Sequence, residues 1–463
     1  MPLLLDKISS VSSLKNAWKK LHKGNINSHG VSDITIAKFK ENLDENLELL
    51  SKKLTDKKFK FSPNRAVAIQ KPKGGYRPLQ IPEIKDRVVL KALAIELEEQ
   101  FGSIISDSLG ISFAYQKNTG VRDAVECMVR HYNDGYPIIL EADIVNFFGE
   151  VNKQDLLENK VFSVLPDDSL NELITAGLNQ SISGVSDLRP EQAKALENIG
   201  EGIPQGNPLS PLLSNVFLAP FDQFMKSKGY KMVRYADDFV VLCKDKMQAK
   251  ICFDDSSNFL RNTLNLKLYD LTSEKSSITD PKKSEFVFLS IQFDGQTLFP
   301  SLASVSRLKS KMLSVCQMRN INTVILLTKV QNRLDGWVSA FFYTDVDRYA
   351  EEIDFYVDRQ LFLALSKFEW KFKDRGVLPS KYRTGTSSDC LTKKQRRFSG
   401  VSEVKTLLES KRKEADTEKE EAFENIAIEQ VEHVQISNEN ITNEEIKKTT
   451  GIWATIKQWL TGA

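Results

Sequence analysis

The stretch Tyr235-Ala236-Asp237-Asp238, set between Met232-Val233 and Phe239-Val240-Val241-Leu242, decides how this chain is read. An apolar run, a brief interruption and a second apolar run predict strand, turn and strand, with both carboxylates at the tip. Adjacent like charges oppose each other's ionisation, so holding them together is costly. A divalent metal is the usual partner that removes the cost.

A third carboxylate extends the site. Pro137-Ile138-Ile139-Leu140-Glu141-Ala142-Asp143-Ile144 predicts a buried strand closing in Asp143, followed by Asn146-Phe147-Phe148. An Asp-Asp pair by itself is most often a solvated turn; a further aspartate ending an apolar strand changes that reading. The three form a ligand set for two Mg²⁺ ions, with Mn²⁺ as the substitute. Ions roughly 3.5–4 Å apart hold both the attacking and the leaving oxygen of an in-line phosphoryl displacement. Asp143 and Asp237 are expected to bridge both ions, Asp238 to act in support or in the outer sphere, and the Ile144 carbonyl to add a donor. The implied chemistry is nucleotidyl transfer.

Further motifs follow in order. They are Leu14-Lys15-Asn16-Ala17-Trp18 with Gly30-Val31; Lys71-Pro72-Lys73-Gly74-Gly75-Tyr76-Arg77-Pro78-Leu79 with Ile81-Pro82 and Asp86-Arg87-Val88-Val89; Asp143 to Phe148; Gly202-Ile203-Pro204-Gln205-Gly206 through Ser210-Pro211-Leu212-Leu213-Ser214-Asn215; Tyr235 to Asp238; Glu274-Lys275-Ser276; and Phe288-Leu289-Ser290-Ile291. With these the chain resembles a bacterial reverse transcriptase of the group II intron type, in particular a stand-alone, defence-associated (antiphage) relative. The resemblance runs from about Leu14 to about Phe372. It implies an α+β right-hand polymerase: fingers and a palm whose antiparallel sheet is backed by helices, a helical thumb, and a charged C-terminal tail, helical or partly disordered. The boundaries expected are 1–60 for an N-terminal extension, 61–300 for fingers and palm, 301–375 for the thumb and 376–463 for the C-terminal extension.

The resemblance also implies roles. Gly74-Gly75 suits a tight hairpin, holding Lys71, Lys73 and Arg77 on one finger; Arg77 and Lys73 are expected on the triphosphate, where Arg binds phosphate oxygens bidentately. Phe148, five residues after Asp143, would lie beneath the sugar and clash with a ribose 2′-hydroxyl; the alternative is core, since an aromatic after an apolar strand is more often packing. Gln205 and Gly206 would line the nascent base pair and template, since a glycine lets backbone approach closely. Lys275 would lie near the active-site phosphates. The sequence departs from the family at Gly149, where an aspartate is common, and over Phe113 to Arg122, usually richer in glycine and arginine. Trp337, Phe341 and Tyr356 at helical spacing are expected in the thumb core rather than on a base-stacking platform.

Composition fits a soluble nucleic-acid enzyme without demanding one. The 463 residues carry a net charge of +2, with 41% hydrophobic and 27% charged side chains. Five dispersed cysteines and four dispersed histidines argue against a zinc knuckle or a disulfide framework. There is no 18-residue apolar run and no secretory signal, so the expected location is cytoplasmic, away from membranes. Lys371 to Arg397 holds nine basic and two acidic residues, fitting RNA phosphates or a flexible linker. Glu414 to Glu445 holds eleven acidic residues and one lysine, a solvated face or disordered tail. Trp453, Ile456, Trp459 and Leu460 share a helical face, expected to dock on the chain itself or to form a homo-oligomer through the C-terminal extension.

The expected function is RNA-templated DNA synthesis on a dedicated noncoding RNA in antiphage defence, with dNTPs as substrates and DNA as product. The alternative is an intron-associated RNA-binding maturase that uses the polymerase body as a platform.

Overall fold

A computed structural model describes residues 3–21, 24–71, 74–197, 199, 201–368, 370–383 and 387–418. Lys73, most of the acidic run and the terminal stretch around Trp453 lie outside these described residues. The chain divides into two compact units. The first comprises Met1–Leu289 with Phe293–Gln296; the second comprises Ser290–Gln292 and the chain from Thr297 onward.

In the first unit, β1 (Asn64–Gln70) and β2 (Tyr76–Ile81) form the expected hairpin. Its turn places both Gly74 (φ +95°) and Gly75 (φ +72°) in the left-handed region, which explains the glycine pair. The central sheet contains β3 (Ile138–Asp143), β5 (Lys231–Tyr235), β6 (Asp238–Cys243) and β7 (Ser277–Thr279) in the order β5-β6-β3-β7, all antiparallel. The short β4 (Ile182–Ser183) adds to the hairpin by pairing in parallel with β1. Strands β3 and β6 are internal to their sheet and almost wholly buried, so their sequences read as continuous apolar runs rather than alternation. Helices Val121–Asn133, Ser210–Ser227 and Lys246–Leu264 pack against the sheet.

The N-terminal extension is part of this body. Leu4, Leu14, Trp18, Leu47 and Leu50 share one core with Val88 and Leu93 of the helix Ile84–Gln100. Polar clamps fix its loop: the Glu83 carboxylate accepts from the Ser32 amide (2.6 Å) and hydroxyl (2.7 Å), and Arg65 and Arg87 donate to the His29 carbonyl (3.1 Å) and Ser28 hydroxyl (3.0 Å). A Cβ at Gly30 would stand 2.8 Å from the Glu83 Cα, so only glycine fits there.

In the second unit, helices Leu302–Cys316, Thr323–Phe341 and Asp347–Ser366 pack together. Trp337 and Phe341 are buried, the Trp337 indole donates to the Ser304 hydroxyl (3.0 Å) and the Tyr356 hydroxyl to the Lys309 carbonyl (3.1 Å). These aromatics serve packing, as expected. The second unit continues past residue 375. Strand segments Gly376–Val377 and Asp389–Cys390 pair, the helix Lys393–Phe398 follows, and residues 404–418 are helical. The buried Arg396 binds Asp358 (2.8 Å) and Asp354 (3.5 Å) of the long helix, and the Ser402 amide donates to Gln331 (2.8 Å). The described part of the basic stretch is thus locked onto the helices instead of serving as a linker. Among the described residues no helix is long and apolar enough to cross a membrane.

Asp86 gives this fold a pH signature. Its fully buried carboxylate accepts from the Ser62 amide (2.9 Å) and Gln180 (3.4 Å), with Lys85 at 3.9 Å. Burial pushes its pKa from 3.8 up to about 6, only partly offset by Ser62 and Lys85. The folded state therefore holds this proton more tightly than the unfolded chain. Stability is unpenalised below about pH 4 and falls as pH rises toward 6, by about 2–3 kcal/mol in all. Asp86→Asn should raise the Tm at pH 7.5 and leave it unchanged near pH 4. Equal Tm values for the two proteins at both pH values would refute this account.

Candidate active site

The sheet register builds the site. Asp143, last residue of β3, is the direct partner of Asp238, first residue of β6, and Asp238 also pairs with Tyr235 at the end of β5. Only Ala236 and Asp237 remain for the turn. Ala236 takes φ +61° while Asp237 keeps a negative φ, the pattern of a two-residue II′ hairpin. Glycine normally occupies that first position, so Ala236 holds a strained conformation at the tip. Asp143 is anchored from behind: its carbonyl accepts from the Tyr269 amide (3.1 Å), and the Val145 amide donates to the Lys267 carbonyl (2.8 Å). These two bonds flank Ile144, so this bridge to Leu268 does not consume the Ile144 carbonyl.

Burial is the largest influence on the Asp237 and Asp238 carboxylates, and like charges add to it. Burial pushes the Asp237 carboxyl up and Asp143 adds to the push, while Arg77 and Lys275 act against it. Asp238 is raised by its protein surroundings and by Asp237 and Asp143, although its exposed side chain lets water offset part of that. The Lys275 ammonium, over the Tyr269 ring at 5.5 Å, forms an ion pair with Asp143 Oδ2. Burial alone would lower the Lys275 pKa, but Asp143 and then Asp238 hold it raised.

The donor chemistry, three carboxylates gathered at one sheet end, suits a hard divalent cation. As arranged, however, the acidic side chains do not form a closed cage: among the described residues no three His, Cys, Asp or Glu stand together as a ready metal-binding group. Lys275 instead occupies one oxygen of Asp143, so cation binding requires the ammonium to give way or share.

Around the carboxylates, backbones pack at close range. Phe148 is half-buried, edge-on to Phe147 at 5.4 Å, and its carbonyl accepts from the Ile203 amide (2.9 Å). A Cβ at Gly202 would lie 1.9 Å from that carbonyl oxygen and 2.7 Å from the Gly149 Cα. Gly149 itself faces the Asn146 amide, 2.4 Å from where a Cβ would stand, so the family's aspartate would have to displace Asn146. On the other side the Gln80 amide donates to the Gln205 carbonyl (2.8 Å), and Gly206 (φ +101°) lies against the Gln80 carbonyl. The Gln205 loop therefore ties the β1–β2 hairpin to the strand end that carries Asp143. Gln205 Oε1 and both polar atoms of the Gln116 amide are buried with no hydrogen-bond partner among the described residues.

Residues 69–293 match the family profile described as reverse transcriptase (RNA-dependent DNA polymerase). This segment is a reverse transcriptase domain. The chain is 25% identical over 277 residues to the Escherichia coli protein YkfC, covering 52% of this chain and 70% of YkfC. It is 28% identical over 235 residues to the COX1/OXI3 intron 2 protein of Saccharomyces cerevisiae, covering 49% of this chain and 25% of that protein. It is 26% identical over 211 residues to the group II intron-encoded protein LtrA of Lactococcus lactis, covering 44% of this chain and 32% of LtrA. The chain thus spans a quarter to a third of the intron proteins' own length. Among solved structures, a partial Cas6-RT-Cas1–Cas2 complex is 27% identical with a TM-score of 0.34, covering 57% of this chain and 43% of that chain.

Within the reverse transcriptase domain, the structure brings Asp143, Asp237, Asp238 and Lys275 together and places Arg77 where its charge reaches both Asp237 and Asp238. Gln205 and Gly206 lie in the loop between hairpin and palm, and Lys73 falls outside the described residues. Sequence reasoning missed Tyr115, half-exposed at φ +61°, whose phenol is raised first by burial and then by the charge of Asp237. Its one visible signal was the departure of Phe113 to Arg122 from the family pattern. Gly206→Ala should cost about 1–3 kcal/mol through its left-handed φ alone, and the Gln80 backbone carbonyl 2.6 Å from the new Cβ cannot swing away. Nucleotide incorporation is expected to fall by at least about tenfold, read by primer extension beside a melting curve.

Proposed function

We propose that the chain is an RNA-templated DNA polymerase acting by two-metal nucleotidyl transfer. What supports this most directly is the register that sets Asp143 against Asp238, with Asp237 at the adjoining turn, inside a reverse transcriptase domain. Asp143 and Asp237 would hold two Mg²⁺ or Mn²⁺ ions, supported by Asp238 and the Ile144 carbonyl. When bound, such a pair lowers the pKa of a primer 3′-hydroxyl and neutralises the pyrophosphate leaving group.

The chain's own residues supply binding and selection. Arg77 and Lys73 would take triphosphate oxygens, Arg77 from the exposed face of β2. Lys275, released from Asp143, is a cation within reach of an incoming phosphate. Phe148, fixed through its carbonyl by Ile203, would present its ring beneath the sugar and reject a 2′-hydroxyl. The unpartnered Gln205 Oε1 and Gln116 amide would find hydrogen-bond partners on bound nucleic acid, relieving a cost of about 1–3 kcal/mol for each buried unpaired group. The template is RNA, and in the narrowest form of the proposal it is a dedicated noncoding RNA used in cytoplasmic antiphage defence. Similarity to LtrA and a yeast intron protein gives the platform reading, RNA binding without synthesis, as the alternative.

The deciding experiment purifies the protein from its native host and sequences the RNA and DNA that accompany it, beside Asp237→Asn. Expected is DNA complementary to one bound RNA, absent from the variant, with RNA retained by both. RNA in equal amounts and no DNA would favour the platform, and unchanged phage sensitivity on deletion would remove the defence role. In a second assay, Phe148→Ala should incorporate ribonucleotides at least about tenfold more readily than the wild type. Unchanged sugar selectivity would return Phe148 to the core.

A further inference from the structure

Arg234 is a charged residue in the middle of a buried strand, wholly inaccessible to solvent. Its Nε donates to Asp222 Oδ1 (2.7 Å) and its Nη2 to Asp222 Oδ2 (2.5 Å), in a bidentate pair with a residue of the helix Ser210–Ser227 that is equally buried. Its Nη1 donates to Asn215 Oδ1 of the same helix (3.1 Å) and to the Ala236 carbonyl (2.9 Å). The backbone of Arg234 is fixed as well: its amide donates to the Ile111 carbonyl (2.7 Å), and its carbonyl accepts from the Phe113 amide (3.0 Å). Asn215 then donates to the Ala114 carbonyl (2.8 Å), next to Tyr115.

The contact with Ala236 carries the argument. A peptide bond is planar, so the Ala236 carbonyl and the Asp237 amide turn as one rigid group. Holding that oxygen sets the plane from which Asp237 projects, at a turn whose first residue sits in a conformation alanine disfavours. A fully buried ion pair is a poor source of net stability, because apolar residues of similar volume commonly replace it at no loss. Its use here is therefore geometric. We propose that Arg234, locked by Asp222 and Asn215, is a positioning residue: it holds the Ala236–Asp237 peptide so that Asp237 and Asp238 keep their placement beside Asp143. This rests on the polymerase reading above and adds to it a unit that touches no substrate.

The test uses the full chain on an RNA template with a DNA primer, beside wild type and Asp237→Asn. Arg234→Lys keeps the charge opposite Asp222 but gives up the planar fork that reaches two partners at once. Arg234→Met with Asp222→Leu removes both charges and keeps the volume. Both variants are expected to lower kcat by at least about tenfold, with KM for the incoming nucleotide and affinity for RNA within about twofold of wild type. The Mg²⁺ concentration giving half-maximal rate should rise several-fold, a change that loss of packing alone would not produce. The double variant should melt near the wild-type temperature. If it does not fold, Arg234→Lys decides alone. Either variant folding with wild-type kcat and Mg²⁺ dependence would overturn the inference while leaving the polymerase intact. A wild-type protein that makes no DNA would overturn the polymerase reading, and this inference with it.

Discussion

Mutual repulsion among Asp143, Asp237 and Asp238 is the constraint around which the first unit is arranged. Strand pairing brings two of the three face to face and a two-residue turn delivers the third, so their backbones cannot move apart without breaking the sheet. Hydrophobic burial of β3 and β6 provides the force that holds them: both strands lie inside the sheet, and their side chains are removed from water almost completely. Lys275 and Arg77 relieve the repulsion in part. The remaining preference for positive charge is chemically the same property as an affinity for divalent cations and for the phosphates that accompany them.

Rigidity is spread outward from the carboxylates by backbone contacts instead of side-chain ones. Gly202 lies on the Phe148 carbonyl, and Gly206 on the Gln80 carbonyl. These contacts leave no room for a Cβ, and they bind three sequence-distant segments through groups that cannot change rotamer. A side chain such as Phe148 keeps its own freedom while the backbone carrying it is held. That division suits a site in which one surface must be constant and another must accept each of several bases in turn.

Much of this was legible in the sequence. Apolar runs ending in Asp143 and flanking Asp237 and Asp238 announced strands and a turn, because burial on both faces leaves a continuous hydrophobic signal. Gly74 and Gly75 announced a hairpin, and the helical spacing of Trp337 and Phe341 announced a packed core. What stayed hidden depends on partners far along the chain. In the sequence Arg234 is one basic residue beside an apolar run and Asp222 one acid among apolar residues; only the folded core shows that they are partners. The same holds for Arg396, which looked like part of a basic linker and is buried against Asp354 and Asp358. Charge runs report composition, whereas burial depends on which face of the fold a residue meets.

The clamp on the N-terminal loop bears on modularity. The match to the reverse transcriptase profile begins at residue 69, yet Leu4, Leu14, Trp18 and Leu50 fill the same core as Val88 and Leu93. Glu83, Arg65 and Arg87 spend their polar groups on Ser28, His29 and Ser32. A gene fusion or excision that carried only the matched segment would strip Glu83 of its Ser32 contacts and Arg87 of Ser28, and bare an apolar helix face. The unit that recombination can move intact is therefore longer than the unit that sequence similarity reveals, and the first sixty or so residues travel with the chemistry although they perform none of it.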